Sequence, residues 1–357
     1  MKHQLLSFLL SIFFTGAAFS NSCFVNLKCE EDEICSNYEM LSDDEMNYRL
    51  GILNREYRRP WALSYKVRSL SSRVSDSFFG LVSRFRGDTD ERGIKKSEIV
   101  LSSKRRGNLE QAKFYLYEKR DDEKKKKPLL IVIPPIYDIS PFDIWQARAY
   151  VARGYKVAIL DLGGISFVSP YRPIKAMGES LLKTIGDVHR VIQYTTRHEN
   201  IDKKRIGIFG FSLGGAIAST VFTVNKDIKA LSTVLAGGKF AELMTNSSQA
   251  MAALYRSVRK RREGLSKSAY LSKLKETILF DPVYFAHFKN PDNVYLVVSD
   301  GDSAVPSKNQ IELETAFCAS EDRGNSRWEN GEHFPVIVKD LFKRASVDEF
   351  FDRKLLK

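Results

Sequence analysis

Gly210-Phe211-Ser212-Leu213-Gly214 sets a serine between two glycines, each two residues away. The apolar run Ile206–Phe209 precedes it, and a stretch rich in Ala, Ile and Val, Leu213–Thr223, follows. That order predicts a strand, a sharp turn and a helix. A serine on such a turn stands clear of the backbone, and its neighbours two positions away must lack side chains so that strand and helix can approach. The helix start adds free N–H groups and the positive end of the helix dipole. The chemistry this supports is nucleophilic attack by a serine hydroxyl, provided a base takes its proton.

In this context the motif resembles the nucleophile elbow of the α/β-hydrolases. The resemblance spans roughly residues 98–350. It implies a triad in the chain order Ser, acid, His, with Ser212 as nucleophile. Beyond the first twenty residues the histidines are His189, His198, His287 and His333. Only His333, in Gly331-Glu332-His333-Phe334, follows the acid candidates and sits in a short loop before the terminal helix. The family pattern around Asp300-Gly301-Asp302-Ser303-Ala304-Val305-Pro306 selects Asp302 as the acid, with Asp300 as its competitor. The acid would hold the imidazole tautomer and stabilise the imidazolium. Asp161, after the strand at 157–160, is assigned a structural role.

The tetrahedral intermediate needs two donors for its oxyanion. Leu213 N–H, directly after the nucleophile, is one. The second should come from the loop after Leu129–Ile133. Many relatives carry His-Gly there, whereas this chain has Pro134-Pro135-Ile136-Tyr137. The two prolines have no N–H. The candidates are therefore the Ile136 N–H and the Tyr137 hydroxyl, the latter resembling peptidase-like and acyl-esterase branches of the superfamily.

The elements that must position these groups are legible as apolar runs. Leu129–Ile133, Val157–Leu160, Ile206–Phe209, Ala230–Leu235 and Val294–Val298 read as strands buried on both faces. Helical stretches lie between them at Phe142–Arg153, Met177–His198 and Leu213–Thr223. Leu181, Ile185, Val188, Ile192 and Tyr194 form an apolar stripe along the second. Alternating strands and helices predict an α/β fold: a mostly parallel central sheet flanked by helices. Ile99–Ser102 and Ala112–Glu118 read as an antiparallel edge hairpin. Asp121–Pro128 reads as an exposed charged turn.

The chain has 357 residues, is 43% hydrophobic and 28% charged, and carries a net charge of +12. These values exclude disordered, collagen-like and rod-like coiled-coil classes. No apolar run reaches the roughly 18 residues of a conventional membrane-spanning helix. Residues 1–20 have a basic start, an apolar run from Leu5 to Phe14 and small residues at the end, as in a secretory signal cleaved after Ser20. The expected location is secreted or periplasmic. An oxidising compartment would favour disulfides among Cys23, Cys29, Cys35 and Cys318, in any of three connectivities. Residues 21–97 read as an N-terminal extension and 98–357 as the hydrolase domain.

Between Leu235 and Asn293 the chain is too long for a plain connection, which predicts a helical cap at about 238–290. Residues 256–275 hold eight basic residues against Glu263 alone. The cap could face an anionic membrane, a cell-wall polymer or an acidic substrate, or could be a solvated helical face. No nucleic-acid recognition module accompanies the charge. The resulting expectation is a secreted serine hydrolase acting on a small carboxylic ester, with no metal or organic cofactor. A peptidase or amidase of the same mechanism is the first alternative, and a catalytically silent binding protein of the same fold is the second.

Overall fold

The computed structural model describes residues 41–57, 64–70, 93–105, 108–120, 126–135, 139–163 and 169–357. The signal expected at 1–20, Cys23, Cys29, Cys35, most of the charged turn, Ile136 and Tyr137 lie outside them.

Nine strands are present among the described residues, joined in one sheet in the order β1-β2-β3-β5-β4-β6-β7-β8-β9. They are β1 (Ser64–Leu70), β2 (Ile94–Arg105), β3 (Asn108–Lys119), β4 (Lys127–Ile133), β5 (Lys156–Asp161), β6 (Ile201–Phe211), β7 (Ala230–Val234), β8 (Val294–Ser299) and β9 (Ser326–Glu329). From β5 to β9 every neighbouring pair is parallel. β1, β2 and β3 pair antiparallel, and β3 joins the parallel part through β5. Parallel neighbours need crossovers, and these are helices: α2 (Pro141–Ala152) after β4, α3 (Ile174–His198) after β5 and α4 (Ser212–Val224) after β6.

β4 shows why these runs are continuously apolar. Leu129, Ile131 and Ile133 join the core on one face of the sheet, and Leu130 and Val132 join the core on the other. The first core is closed by α3, α4 and the helices of the cap region. The second is closed by α2, α9 (His333–Lys343) and α10 (Ala345–Phe351). α2 begins where Ser140 and Asp143 cap each other reciprocally, with Pro141 at the first turn.

The sequence boundary at 97/98 falls inside β2. Two elements of the segment set apart as an extension belong to the same compact unit as the rest: β1, and helix α1 (Asp43–Tyr57). α1 is fixed to α3 by Glu56, which accepts from Arg190 at 2.8 Å with both side chains buried, and by Tyr57 stacked 4.2 Å from the His189 ring. The region 238–290 is helical as expected: α5 (Phe240–Asn246), α6 (Ala250–Glu263) and α7 (Lys267–Thr277) precede short 3-10 turns. β8 is followed by α8 (Ser307–Ala316). No helix among the described residues is long and apolar enough to cross a membrane.

Candidate active site

Ser212 opens α4 directly after β6 and has φ +52°, a conformation costly for any residue with a side chain. The glycines explain how the turn fits. A Cβ on Gly210 would stand 2.4 Å from the Gly214 carbonyl carbon. A Cβ on Gly214 would stand 2.2 Å from Ile133 O and 2.5 Å from Pro134 O. Backbone occupies both spaces, so the elbow closes only with glycine at 210 and 214. The same contact sets the end of β4 against the elbow, so the loop read as the second oxyanion donor starts beside Ser212. Leu213 is the second residue of α4, where backbone N–H groups lack helical partners.

Asp302 is 4% exposed and its carboxylate takes four donors. Oδ1 accepts from Ala304 N at 2.8 Å and Val305 N at 2.9 Å. Oδ2 accepts from Gln310 Nε2 at 3.0 Å and from His333 Nδ1 at 2.6 Å. A carboxylate only accepts, so Nδ1 carries the proton and Nε2 is left as the acceptor. Asp300 is exposed and makes no such pair; its carbonyl accepts from Ser307 Oγ at 2.7 Å. His333 is the first residue of α9, after Glu332. The two loops are tied together. Ser299 Oγ donates to Gly331 O at 2.7 Å, and Ser303 Oγ donates to Glu332 Oε2 at 3.0 Å. Ser212 Oγ makes no hydrogen bond among the described residues.

A pocket of about 400 Å³, open mouth included, starts at Ser212. Leu213, Ala216, Phe240, Leu243, Met244 and Val305 give it an apolar wall. α5 supplies much of that wall. Its start is held by buried Asp281, which accepts from Lys239 N at 3.1 Å and from Phe240 N. Burial pushes the Asp281 carboxyl up, against the pull of those backbone donors. Next to His333 in the chain, Phe334 is 61% exposed and meets Phe142 edge to face at 6.1 Å. Phe334 carried no sequence signal beyond its place beside the histidine.

The basic segment divides. Arg256 donates to Met244 O and Ser247 O, and buried Arg259 donates to Pro170 O at 2.6 Å. These two brace the cap. Arg261, Arg262 and Lys267 are exposed. Asp161 forms an ion pair with Lys113 at 3.1 Å, linking β5 to β3. Cys318 is half-buried just after α8, with φ +51°. Among the described residues no group of three or more His, Cys, Asp or Glu side chains is arranged to hold a metal ion.

This architecture is the α/β-hydrolase fold. A family profile described as BAAT / Acyl-CoA thioester hydrolase C terminal matches residues 189–317, a span that includes Ser212 and Asp302 and stops before His333. Among solved structures, an acetyl xylan esterase from Paenibacillus sp. R4 aligns with a TM-score of 0.60 at 11% identity, covering 90% of this chain and 98% of its own. Acetyl xylan esterase 1 from Thermoanaerobacterium sp. JW/SL YS485 aligns with a TM-score of 0.59 at 14% identity, covering 88% and 97%. At these identities the likeness is one of fold. A comparison with curated protein sequences gives no match.

Proposed function

We propose that the protein is a serine hydrolase of carboxylic esters. The observation that carries this reading is the pairing of a buried, fully hydrogen-bonded Asp302 with His333 in a chain whose Ser212 sits on a strained elbow. Ser212 Oγ attacks the acyl carbonyl while His333 Nε2 takes its proton. The oxyanion is held by the Leu213 N–H and by a donor of the 136–137 segment. His333 returns the proton to the leaving oxygen, which departs as an alcohol and leaves Ser212 acylated. Water then attacks the acyl-enzyme by the same proton route, releasing the acid and regenerating the serine.

The acyl group takes the apolar pocket under α5. The leaving group lies on the His333 side, against Phe142 and Phe334. The acetyl xylan esterases that share the fold support ester over amide chemistry as the first reading. A thioester fits the same acyl-transfer steps and is supported by the matched family profile.

A panel of p-nitrophenyl esters of increasing acyl length, an acyl thioester and an acyl anilide tests this. Turnover of esters by the wild type, abolished in Ser212→Ala, is expected. Turnover of the anilide with none of the esters would move the assignment to a peptidase or amidase. Secretion belongs to the same proposal. N-terminal sequencing of the exported protein should begin at Asn21, and exposed Arg261, Arg262 and Lys267 are the residues through which the cap would meet an anionic membrane or cell-wall surface.

A further inference from the structure

Gln310 lies on the first turns of α8 and is 0% exposed. A buried primary amide must satisfy two donor hydrogens and an acceptor oxygen. Every partner it finds is on the strand and loop that carry the acid. Its Oε1 accepts from Ser299 N, the last residue of β8, at 2.9 Å. Its Nε2 donates to Val305 O at 2.8 Å and to Asp302 Oδ2 at 3.0 Å. The first two bonds clamp the loop at both ends. The third reaches the same carboxylate oxygen that accepts from His333 Nδ1. Neighbouring Asn309 faces the other way and donates to Gly238 O at 2.9 Å, fixing α8 against the turn that leads into the cap.

We propose that Gln310 is a positioning residue for the acid–base pair: its amide fixes the rotation of the Asp302 carboxylate and thereby the tautomer and ring direction of His333. This rests on the triad reading above. The Oδ1 side of Asp302 is held by two backbone N–H groups of its own loop. Among the described residues, the Oδ2 side has only His333 and Gln310. Without the amide, the histidine would be the sole restraint on the oxygen meant to orient it. The loss would appear in the chemical step, because Gln310 is not among the residues that line the pocket. The titratable group that its amide touches is Asp302, and His333 meets the same carboxylate oxygen; Asp300 and Glu332 lie on the two loops, and Lys308, Glu312 and Glu314 on α8 itself.

The test compares Gln310→Met, which keeps the shape and loses the donors, with Gln310→Glu, which keeps the acceptor for Ser299 N. Ester turnover is measured from pH 5 to 9, with the folded fraction checked by circular dichroism at each pH. Gln310→Met should lose about 10- to 100-fold in kcat, with KM within twofold of wild type. Gln310→Glu can donate to Asp302 only while protonated. Its rate relative to wild type should therefore fall as pH rises, while the ratio for Gln310→Met stays flat. Wild-type kcat in Gln310→Met, or a loss that follows the unfolded fraction or appears in KM, would overturn the proposal. If Gln310→Met does not fold, the pH-dependent ratio of Gln310→Glu decides: falling with pH supports the role, flat rejects it. A wild type that turns over no ester, thioester or amide is a different failure, that of the triad reading itself.

Discussion

At the residue scale, the site depends on two kinds of close fit. One is steric. Gly214 has no room for a methyl group because the Ile133 and Pro134 carbonyl oxygens fill the space. Gly214→Ala must push backbone aside, so it should cost at least about 2 kcal/mol in stability and lower kcat about 100-fold or more. Gly264→Ala is the control. Gly264 closes α6 at φ +62° with nothing near it, so its substitution should cost only about 1 kcal/mol and leave kcat unchanged. Thermal melts and ester kinetics on both variants check this, and equal effects would mean the elbow is not specially constrained. The other fit is polar, the four donors around Asp302. The steric fit was legible in the sequence, because a strained strand-to-helix turn demands glycines at fixed spacing. The polar fit was only half legible. Asp300 and Asp302 are two residues apart in a loop whose register depends on which backbone N–H groups turn inward. Gln310 looks like any polar residue on an exposed helix until the fold buries it.

At the element scale, the strands that read clearly were those buried on both faces, such as Leu129–Ile133. β1 (Ser-Tyr-Lys-Val-Arg-Ser-Leu) and β9 (Ser-Arg-Trp-Glu) are edge strands, and polar residues on an edge leave no apolar run to find. α1 was missed because part of what it buries is charged: Arg49 and Glu56 become buried residues only through partners far along the chain. A second buried charge group joins the antiparallel part of the sheet to the parallel part. Glu118 on β3 accepts from Lys156 on β5 at 2.6 Å and from Lys95 on β2 at 2.8 Å. Burial raises the Glu118 carboxyl, but the hydrogen bonds from Lys156 and Lys95 outweigh it and hold the group below its ordinary range. The folded protein therefore binds this proton more weakly than the unfolded chain. The contribution is present above the unfolded value near about 4.3 and is lost as pH falls through the lower folded value. Glu118→Gln should be clearly less stable than wild type at pH 7, by about 3 kcal/mol, because it removes the carboxylate paired directly with buried Lys156. The gap should narrow below pH 4. Denaturant unfolding from pH 3 to 7 measures it, and a gap constant with pH would show that the glutamate charge contributes nothing.

At the scale of the whole molecule, Ser212, Asp302 and His333 are separated by up to 121 positions, yet each follows a parallel strand that ends on the same edge of the sheet. Ser212 follows β6, Asp302 follows β8 and His333 follows β9. Parallel strands deliver their following loops to one side, and the order β5-β4-β6 reverses the direction in which successive strands are added between β4 and β6, beside the elbow. The sheet thus supplies the arrangement, and the loops carry the residues proposed to do the chemistry. In the proposed hydrolase this arrangement activates Ser212. The direct measurement is labelling of the folded protein with a fluorophosphonate, the modified peptide being mapped by mass spectrometry. The expected result is one adduct, on Ser212, absent in Ser212→Ala and formed at least about 100-fold more slowly in His333→Ala. A folded wild type that stays unlabelled, or an adduct on another serine, would contradict it.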